Sequence, residues 1–481
     1  MPSISSLRRL SAPAPRARIG SEAGALWQLA WPILIGQLAN VGMSVVEVAM
    51  AGHASANDLA GVALGVSIWN MVIITLMGVM MAVNPMVAHL VGAREFSQVP
   101  HVVRQALWQA LGVGLIAVLL ANLAGSVFDH LALEAQVRDL AKDFVLITSL
   151  ALPAFAAYRV LYGYSVSLNQ TKPVMVIALG ALLLNVVVNW LLVFGKLGLP
   201  RLGGLGCAWA TLVCVWFNLL ALLWWMRRAS AYRSTWPFAR FEWPHWPQVR
   251  SLLHLGLPIG ITYFAETSAF SLIALLIARF GSTEMAAHQI ALNFSSLVFM
   301  LPLSVGLALL TRVGQSLGAG EAHAARFRAW VGVAMALGFA VLSATGMAVF
   351  STQIAAAYTS DEAVAGTAAQ LLFLAALFQL SDATQVATSC AIRGYKVTRA
   401  PMLIQLTAFW VFSLPLGYAL GLAPAWLPWA PAEPMAARGF WIALVVGLTV
   451  ATLGLSALLR FVARQHLPTV HHAPISERGL E

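Results

Sequence analysis

Residues 59–93 read LAGVALGVSIWNMVIITLMGVMMAVNPMVAHLVGA and contain no Asp, Glu, Lys or Arg. A helix needs about 20 apolar residues to cross the ~30 Å hydrocarbon core of a bilayer, so this stretch is long enough to span a membrane. Eleven other segments share its length and apolar character. They are residues 25–50, 105–128, 144–171, 173–195, 202–226, 251–278, 285–311, 329–360, 363–392, 400–432 and 439–459. The pattern predicts an all-α polytopic membrane protein with twelve transmembrane helices.

The overall composition agrees with this interpretation. Of the 481 residues 60% are hydrophobic and 10% are charged, and the mean hydropathy is +0.81. Soluble domains carry about 25% charged residues, so an ordinary soluble enzyme, a disordered scaffold and a secreted disulfide module are excluded. Cys207, Cys214 and Cys390 all fall within predicted spans. We expect them to be buried apolar residues and not disulfide partners.

The distribution of charge predicts the topology. If both termini are cytoplasmic, the cytoplasmic segments carry 21 Lys/Arg and 6 Asp/Glu, whereas the outer segments carry 6 and 9. An excess of Lys and Arg in cytoplasmic loops is the usual positive-inside pattern. The net charge of +10 therefore reflects topology, and no nucleic-acid partner is expected. We predict a multi-pass protein of the bacterial inner (cytoplasmic) membrane with both termini in the cytoplasm.

The two halves of the chain resemble each other at a constant shift of 226 positions. The matched pairs include Pro32 with Pro258, Asp58 with Glu284, Gly92 with Gly318 and Glu95 with Glu321. Repeats with an even number of spans have parallel topology and are related by an axis along the membrane normal. We therefore expect two pseudo-symmetric six-helix bundles around a central cavity. The predicted bundles are residues 25–226 and 251–462, with a cytoplasmic linker at 227–250 and cytoplasmic tails at 1–24 and 463–481.

Two carboxylates of the second half, Glu266 and Asp382, lie well inside predicted spans. A carboxylate within a span is costly and usually faces a cavity, where it marks an ion pathway. Two such groups on different helices could share a Na⁺ ion, which prefers oxygen ligands, or a proton. Neighbouring hydroxyl groups that merely satisfy the carboxylates are the alternative. Gln289 and Asn293 in the eighth span are further polar candidates for the cavity.

A second polar set occurs in the first half. Asn185 and Asn189 lie one turn apart on a helix face, and a buried Asn is costly unless it is hydrogen-bonded. The pair is predicted to line the cavity together with Glu47. An interfacial position for Glu47 and a role of the Asn pair in holding helices together remain open. Arg159 is the only cation predicted well inside a span, and it is not assigned a role.

The chain has no Walker A sequence, no Gly-rich phosphate loop and no H-x-x-x-H spacing among its 11 histidines. A nucleotide cofactor, a structural metal site and a metalloprotease are therefore not supported. No nucleophile–base pair stands out, so we do not expect an enzyme. Any transport would draw its energy from an ion gradient.

Several long segments resemble the MATE family (multidrug and toxic compound extrusion), in its bacterial NorM-type branch. They are MAGHASANDLAGVALGVSIW (50–69), TKPVMVIALGALLLNVVVNWLLVFGKLG (171–198), GGLGCAWAT (203–211), AAHQIALNFSSLVFMLPLSVG (286–306) and AIRGYK (391–396). The resemblance runs from about Trp27 to Phe461. It implies a multidrug antiporter that alternates between outward- and inward-open V-shaped states.

The resemblance also implies site residues. Glu266 and Asp382 match a cation site, which would bind Na⁺ in a sodium-coupled member, and Phe270 and Phe299 match aromatic residues that flank it. Glu47, Asn185 and Asn189 match a polar cluster where protonation is thought to release substrate. The chain departs from the family at two positions, with Glu47 where Asp is usual and Phe378 where some members have Tyr.

The predicted function is secondary active export of amphipathic organic cations in exchange for Na⁺, H⁺ or both. Cationic drugs or dyes and membrane lipid are the expected partners, no cofactor is expected beyond the coupling ion, and the protein is expected to be a monomer. A flippase for lipid-linked precursors is the alternative, and it should line its cavity with several cations for pyrophosphate. An integral-membrane enzyme would instead need a nucleophile–base pair or metal ligands.

Overall fold

The computed structural model describes residues 15–130, 134–198, 200–424, 426–427 and 430–467, and these contain helices and no strand. The first half contains α1 (Pro15–Ala54), α2 (Ala56–Met80), α3 (Val83–Gly92), α4 (Val99–Gly125), α5 (Ala135–Ser149), α6 (Leu152–Ser167), α7 (Lys172–Phe194) and α8 (Gly204–Arg228). The second half contains α9 (Trp246–Ile277), α10 (Ser282–Gly318), α11 (Ala322–Val349), α12 (Ser351–Tyr358), α13 (Glu362–Gly394), α14 (Arg399–Leu406), α15 (Leu414–Leu422) and α16 (Ala436–Gln465).

The described residues contain eleven helical segments that are long and apolar enough to cross a membrane, and a twelfth if the bent pair α5–α6 is one span. The all-α membrane fold is thus confirmed. The two helices of the bent pair meet at 44°, and Pro153 is the second residue of α6. Proline has no N–H to donate to the preceding turn, which accounts for the break.

Three boundaries differ from the sequence-based spans. Helix α1 begins at Pro15, ten residues before the predicted span, and α12 forms a separate short helix at the end of the ninth span. The eleventh span includes a π-helical segment (Thr407–Ser413), which joins α14 to α15. The helical part of this span ends at Leu422, because Ala423 adopts a left-handed conformation and Pro424 follows.

We call the end of the molecule where α1 begins and α16 ends the proximal end, and the opposite one the distal end. At the proximal end the two halves make a pair of equivalent contacts. A Cβ atom added to Gly92 would overlap the carbonyl oxygen of Gln315, and one added to Gly318 would overlap that of His89. His89 and Gln315 are related by the same shift of 226 positions as the two glycines. Each half thus presents the same surface to the other, as expected for a pseudo-two-fold axis.

The distal end carries a second repeated feature. Asp58 of α2 accepts a hydrogen bond of 2.7 Å from the backbone N–H of Gly204, at the start of α8. Glu284 of α10 accepts one of 3.2 Å from the N–H of Ala437, at the start of α16. The match of Asp58 with Glu284 has a physical cause, since each carboxylate caps the last long helix of its bundle and interacts favourably with that helix dipole.

The linker between the halves packs on the proximal end of the first bundle. Glu242 accepts one hydrogen bond of 2.5 Å from Arg104 of α4 and pairs with His101 at 2.7 Å. The hydrogen bond from Arg104 holds the pKa of Glu242 below its ordinary value. The Tyr164 hydroxyl of α6 donates to the carbonyl oxygen of Thr235, at 2.8 Å.

Candidate functional site

Glu47 lies in the distal half of α1, inside the first bundle, and is buried. Its Oε1 accepts a hydrogen bond of 2.6 Å from the Thr211 hydroxyl of α8 and one of 3.2 Å from the Asn185 amide of α7. Asn189 in turn donates to the side-chain oxygen of Asn185 at 3.0 Å. The structure therefore brings together the three residues predicted in this half.

Both hydrogen bonds to Glu47 reach the same oxygen, which leaves Oε2 free of these partners. The side chain makes no ion pair with any described residue. A buried carboxylate without a counter-charge is stable when it is protonated or when a cation approaches it. The cluster thus holds one group able to accept a proton or attract a positive charge.

The second bundle holds Glu266 on α9 and Asp382 on α13. Phe270 of α9 and Phe378 of α13 are in contact, and Glu266 and Asp382 each lie one turn proximal to these rings, so the two carboxylates lie at the same level of the bundle. Oδ1 of Asp382 is buried and has no hydrogen-bond partner. Gln379, three residues before Asp382, is fully buried with neither side-chain atom paired.

A third unpaired oxygen lies at the same level of this bundle. Gly306 of α10 lies against Cys390 of α13, and Gly394 lies against Leu310, so the two helices run side by side in the same direction with an offset of 84 residues. That register places Ser295 level with Gln379, and the buried Ser295 hydroxyl is also unpaired. Carboxylate, amide and hydroxyl oxygens are the ligands that a hard cation prefers, so these residues fit a Na⁺ ion.

The two aromatic residues predicted beside this site pack in different apolar clusters. Phe270 packs against Phe378 and Phe409, with ring centroids 6.2 and 5.9 Å apart, and Phe378 packs against Trp441. Phe299 packs against the large hydrophobic cluster shared by both bundles, and the register of α10 and α13 places it level with Ala383, the residue after Asp382. That Phe299 flanks the ion site together with Phe270 stays a prediction.

The other polar residues singled out by the sequence make no contact with the carboxylates of the second bundle. Gln289 and Asn293 are exposed on one face of α10, and Asn293 accepts a hydrogen bond of 3.0 Å from the Tyr358 hydroxyl at the distal end. Neither is hydrogen-bonded to Glu266 or Asp382. Arg159 is buried, with its guanidinium 4.4 Å from the centre of the Tyr162 ring, and it does not extend toward the surface.

Sequence reasoning missed Thr211, Gln379 and a second buried cation. Arg393 is only 3% exposed, although the charge count treats it as part of a cytoplasmic loop. Its guanidinium donates to the Tyr263 hydroxyl at 3.2 Å and contacts the sulfur of Met81 in the first bundle. The apolar run stops at Ile392, but α13 continues through Arg393, whose charge is covered by the other bundle. Arg159 is thus not the only buried arginine, although Arg393 lies at the end of its span and not well inside it.

Hydrogen bonds between the bundles lie toward the proximal end of the described structure. Asn84 accepts from Thr311 at 3.1 Å, His89 contacts the carbonyl oxygen of Gly394 at 2.8 Å, and Gln315 donates to the carbonyl oxygen of Ser167. The Glu22 carboxylate of α1 pairs with two arginines of the second bundle, Arg312 and Arg328. The bundles are thus joined proximally, while the two carboxylate clusters lie in separate bundles on either side of the interface.

Comparison with known proteins agrees with this architecture. The MatE family profile matches residues 32–191 and 258–419. The chain is 45% identical to multidrug resistance protein PmpM of Pseudomonas aeruginosa, over 94% of both chains. It is 42% identical to the probable multidrug resistance protein NorM of Chromobacterium violaceum, over 94% of this chain and 97% of the relative.

Among solved structures, the eukaryotic MATE transporter AtDTX14 superposes with a TM-score of 0.83, at 21% identity, over 93% of this chain and 98% of that one. This likeness concerns the fold. The family profile covers most of the chain and the close relatives cover nearly all of it. The chain therefore belongs to the MatE family of membrane transporters, within the group of bacterial multidrug resistance proteins that includes NorM and PmpM.

Proposed function

We propose that this protein is a secondary active antiporter that exports amphipathic organic cations in exchange for Na⁺, H⁺ or both. The observation that carries the proposal is the arrangement of two separate carboxylate clusters, one in each bundle, beside an interface that is joined at the proximal end. Such an arrangement gives an ion and a cationic substrate different sites whose occupancy depends on the same movement of the bundles.

The coupling ion is proposed to bind in the second bundle. Asp382 and Glu266 supply negative charge, and the unpaired oxygens of Asp382 and Gln379 would replace water around a Na⁺ ion. A proton is the other candidate, because a carboxylate buried without a counter-charge is relieved by protonation as well as by a cation. The family resemblance adds weight to Glu266 and Asp382, while the chain has Phe378 where some members offer a Tyr hydroxyl.

The substrate is proposed to depend on Glu47. When ionised, this carboxylate attracts a cation, and Asn185 and Thr211 hold it in place through Oε1. When protonated, it loses that attraction, so protonation would favour release of the substrate.

Coupling then follows from differential affinity. A ligand shifts a conformational equilibrium only as far as its affinities for the two states differ, and two such ligands affect each other reciprocally. The proximal contacts describe one state, in which the hydrogen bonds between the bundles lie toward the proximal end. Breaking them while the distal ends close would expose the same sites to the other side.

The proximal end is proposed to face the cytoplasm of a bacterial cell, with the protein in the inner membrane as a monomer. The excess of Lys and Arg in the proximal loops supports this orientation. The structure described here would then be the outward-open state, in which a substrate leaves the cell. A flippase for lipid-linked precursors is less well supported, because the buried Arg159 and Arg393 both lie against tyrosine rings.

The test is flux in proteoliposomes under Na⁺ and pH gradients imposed separately, with ethidium or norfloxacin as substrate. We expect Glu266→Gln and Asp382→Asn to abolish gradient-driven flux. Glu362→Gln is the matched control, because Glu362 lies on the same helix as Asp382 but is exposed at its distal end, and this variant should transport normally. Full, gradient-dependent flux in both site variants would refute the proposed ion site.

A further inference from the structure

A basic groove lies at the proximal end, between α11 and α16, away from both carboxylate clusters. Its lining consists of Arg326, Trp330, Arg460 and Arg464, and its volume is about 260 Å³. Residues four apart lie on the same face of a helix. Arg326 and Trp330 therefore form one wall from α11, and Arg460 and Arg464 form the other from α16. The two walls converge, and the Arg460 guanidinium lies 5.6 Å from the centre of the Trp330 ring.

The described residues do not balance the positive charge of this groove. None of the three arginines forms an ion pair with a described acidic residue, and the groove is lined by no carboxylate. Arginine presents a planar fork of donors that matches the oxygens of a phosphate group. The groove is therefore complementary to an anion with phosphate-like geometry.

The surroundings of the groove indicate where that anion comes from. The four lining residues lie close to the proximal ends of their helices, and Trp with Arg at the end of a span is typical of the headgroup region of a bilayer. Phe327 and Phe461, which follow Arg326 and Arg460 in sequence and lie on the adjoining helix faces, are 39% and 59% exposed. Apolar side chains beside the arginines suit acyl chains, whereas a free phosphate ion would gain nothing from them.

We infer that this groove binds the phosphate of an anionic phospholipid, held by Arg326, Arg460 and Arg464 with its acyl chains beside Phe327 and Phe461. Basic pockets between transmembrane helices are suited to such headgroups. The bound lipid would lie between α11 and α16, two helices of the second bundle. The inference concerns a site distinct from the transport site and does not depend on the coupling ion.

The test is native mass spectrometry of the full-length protein in detergent, titrated with dioleoyl phosphatidylglycerol or dioleoyl phosphatidylcholine. The site variant is Arg326→Gln/Arg460→Gln/Arg464→Gln. The control is Arg227→Gln/Arg228→Gln/Arg233→Gln, which removes the same charge from another proximal surface. That surface also has an arginine beside a tryptophan, with the Arg228 guanidinium 5.4 Å from the Trp224 ring, but no facing arginine pair.

We expect the wild type and the control to bind phosphatidylglycerol more tightly than phosphatidylcholine, and the site variant to bind phosphatidylglycerol at least tenfold more weakly. Inorganic phosphate at the lipid concentration should not displace the lipid, and deletion of residues 468–481 should not change its binding. Equal binding by the site variant and the control would overturn the inference. Displacement of the lipid by inorganic phosphate would also overturn it and would assign the groove to a soluble anion. Lipid binding that appears only after the deletion would assign the groove to the chain's own C-terminal segment.

Discussion

Arg312 of α10 donates hydrogen bonds to both carboxylate oxygens of Glu22 in α1, at 2.5 and 2.7 Å, and so joins the two bundles at the proximal end. Arg328 of α11 approaches the same carboxylate at 3.4 Å. The Glu22 side chain is 9% exposed. Removing one partner of a buried ion pair leaves charge uncompensated, so this triad favours the state in which the bundles are joined proximally.

Glu22→Ala is therefore expected to open the proximal interface. Two arginines lose their counter-charge, which should destabilise the joined state by about 2 kcal/mol and shift the equilibrium roughly 30-fold. The measurement is the distance between spin labels on Glu95→Cys and Glu321→Cys, two equivalent positions in the proximal loops of the two halves. An unchanged distance distribution in the Glu22→Ala background would contradict the proposed role.

The equivalent glycines provide a second test of the same interface. Gly92→Ala and Gly318→Ala each place a methyl group against a backbone carbonyl of the other bundle, so each should disfavour the joined state to a similar extent. Gly24→Ala is the control, because nothing lies within 4 Å of the added methyl group. The same spin-label distances report the result. Opening by one variant and not the other would show that the interface is not pseudo-symmetric in its energetics.

Gln379→Leu tests whether Gln379 is a ligand of the ion or only a structural residue. Both polar atoms of Gln379 are buried and unpaired, and replacing such a group by an apolar one of similar shape is neutral or stabilising. We expect the thermal stability without Na⁺ to be unchanged or higher, and the increase in melting temperature caused by added Na⁺ to be reduced or lost. Retention of the full Na⁺-dependent increase would exclude Gln379 as a ligand.

Thr211→Val tests the hydrogen bond from the Thr211 hydroxyl to the Glu47 carboxylate. A hydrogen bond to a charged group contributes about 1.5–3 kcal/mol, so its loss should reduce substrate efflux by about tenfold or more. Thr211→Ser keeps the hydroxyl and should restore efflux, which a role in packing alone would not predict. The measurement is kcat/KM for ethidium efflux in proteoliposomes. Equal efflux by the valine and serine variants would show that the contact at 2.6 Å is not required.

The sequence predicts the membrane fold well because its apolar runs are long. A charged residue within such a run is easily recognised. Glu47, Glu266 and Asp382 stand out for this reason, and the Asn pair is recognisable by its one-turn spacing. The repeat can also be recognised in the sequence, because equivalent positions of the two halves carry residues with the same structural role. Asp58 and Glu284, which cap the starts of α8 and α16, are an example.

Other features depend on contacts between distant segments and leave no such signal. Thr211 and Gln379 are ordinary residues in a transmembrane helix, and only the packing shows that one contacts Glu47 and the other is unpaired. Arg393 resembles a loop residue because it follows the apolar run, yet the other bundle covers it.

The linker offers a prediction for pH. The pKa of Glu242 is lowered in the folded protein by its hydrogen bond from Arg104, so its stabilising contribution is present at neutral pH and is lost as the pH falls below the ordinary value of 4.5 and through the folded pKa. Acidification should therefore loosen residues 230–245 from α4 and increase their cleavage in limited proteolysis by an acid-active protease.

Glu242→Gln should show the same increase at neutral pH, whereas Glu321→Gln, in another proximal loop and without an ion pair, should not. Because Glu242 is 31% exposed, we expect local detachment without unfolding of the bundles, and loss of the whole helical signal over the same pH range would contradict this assignment.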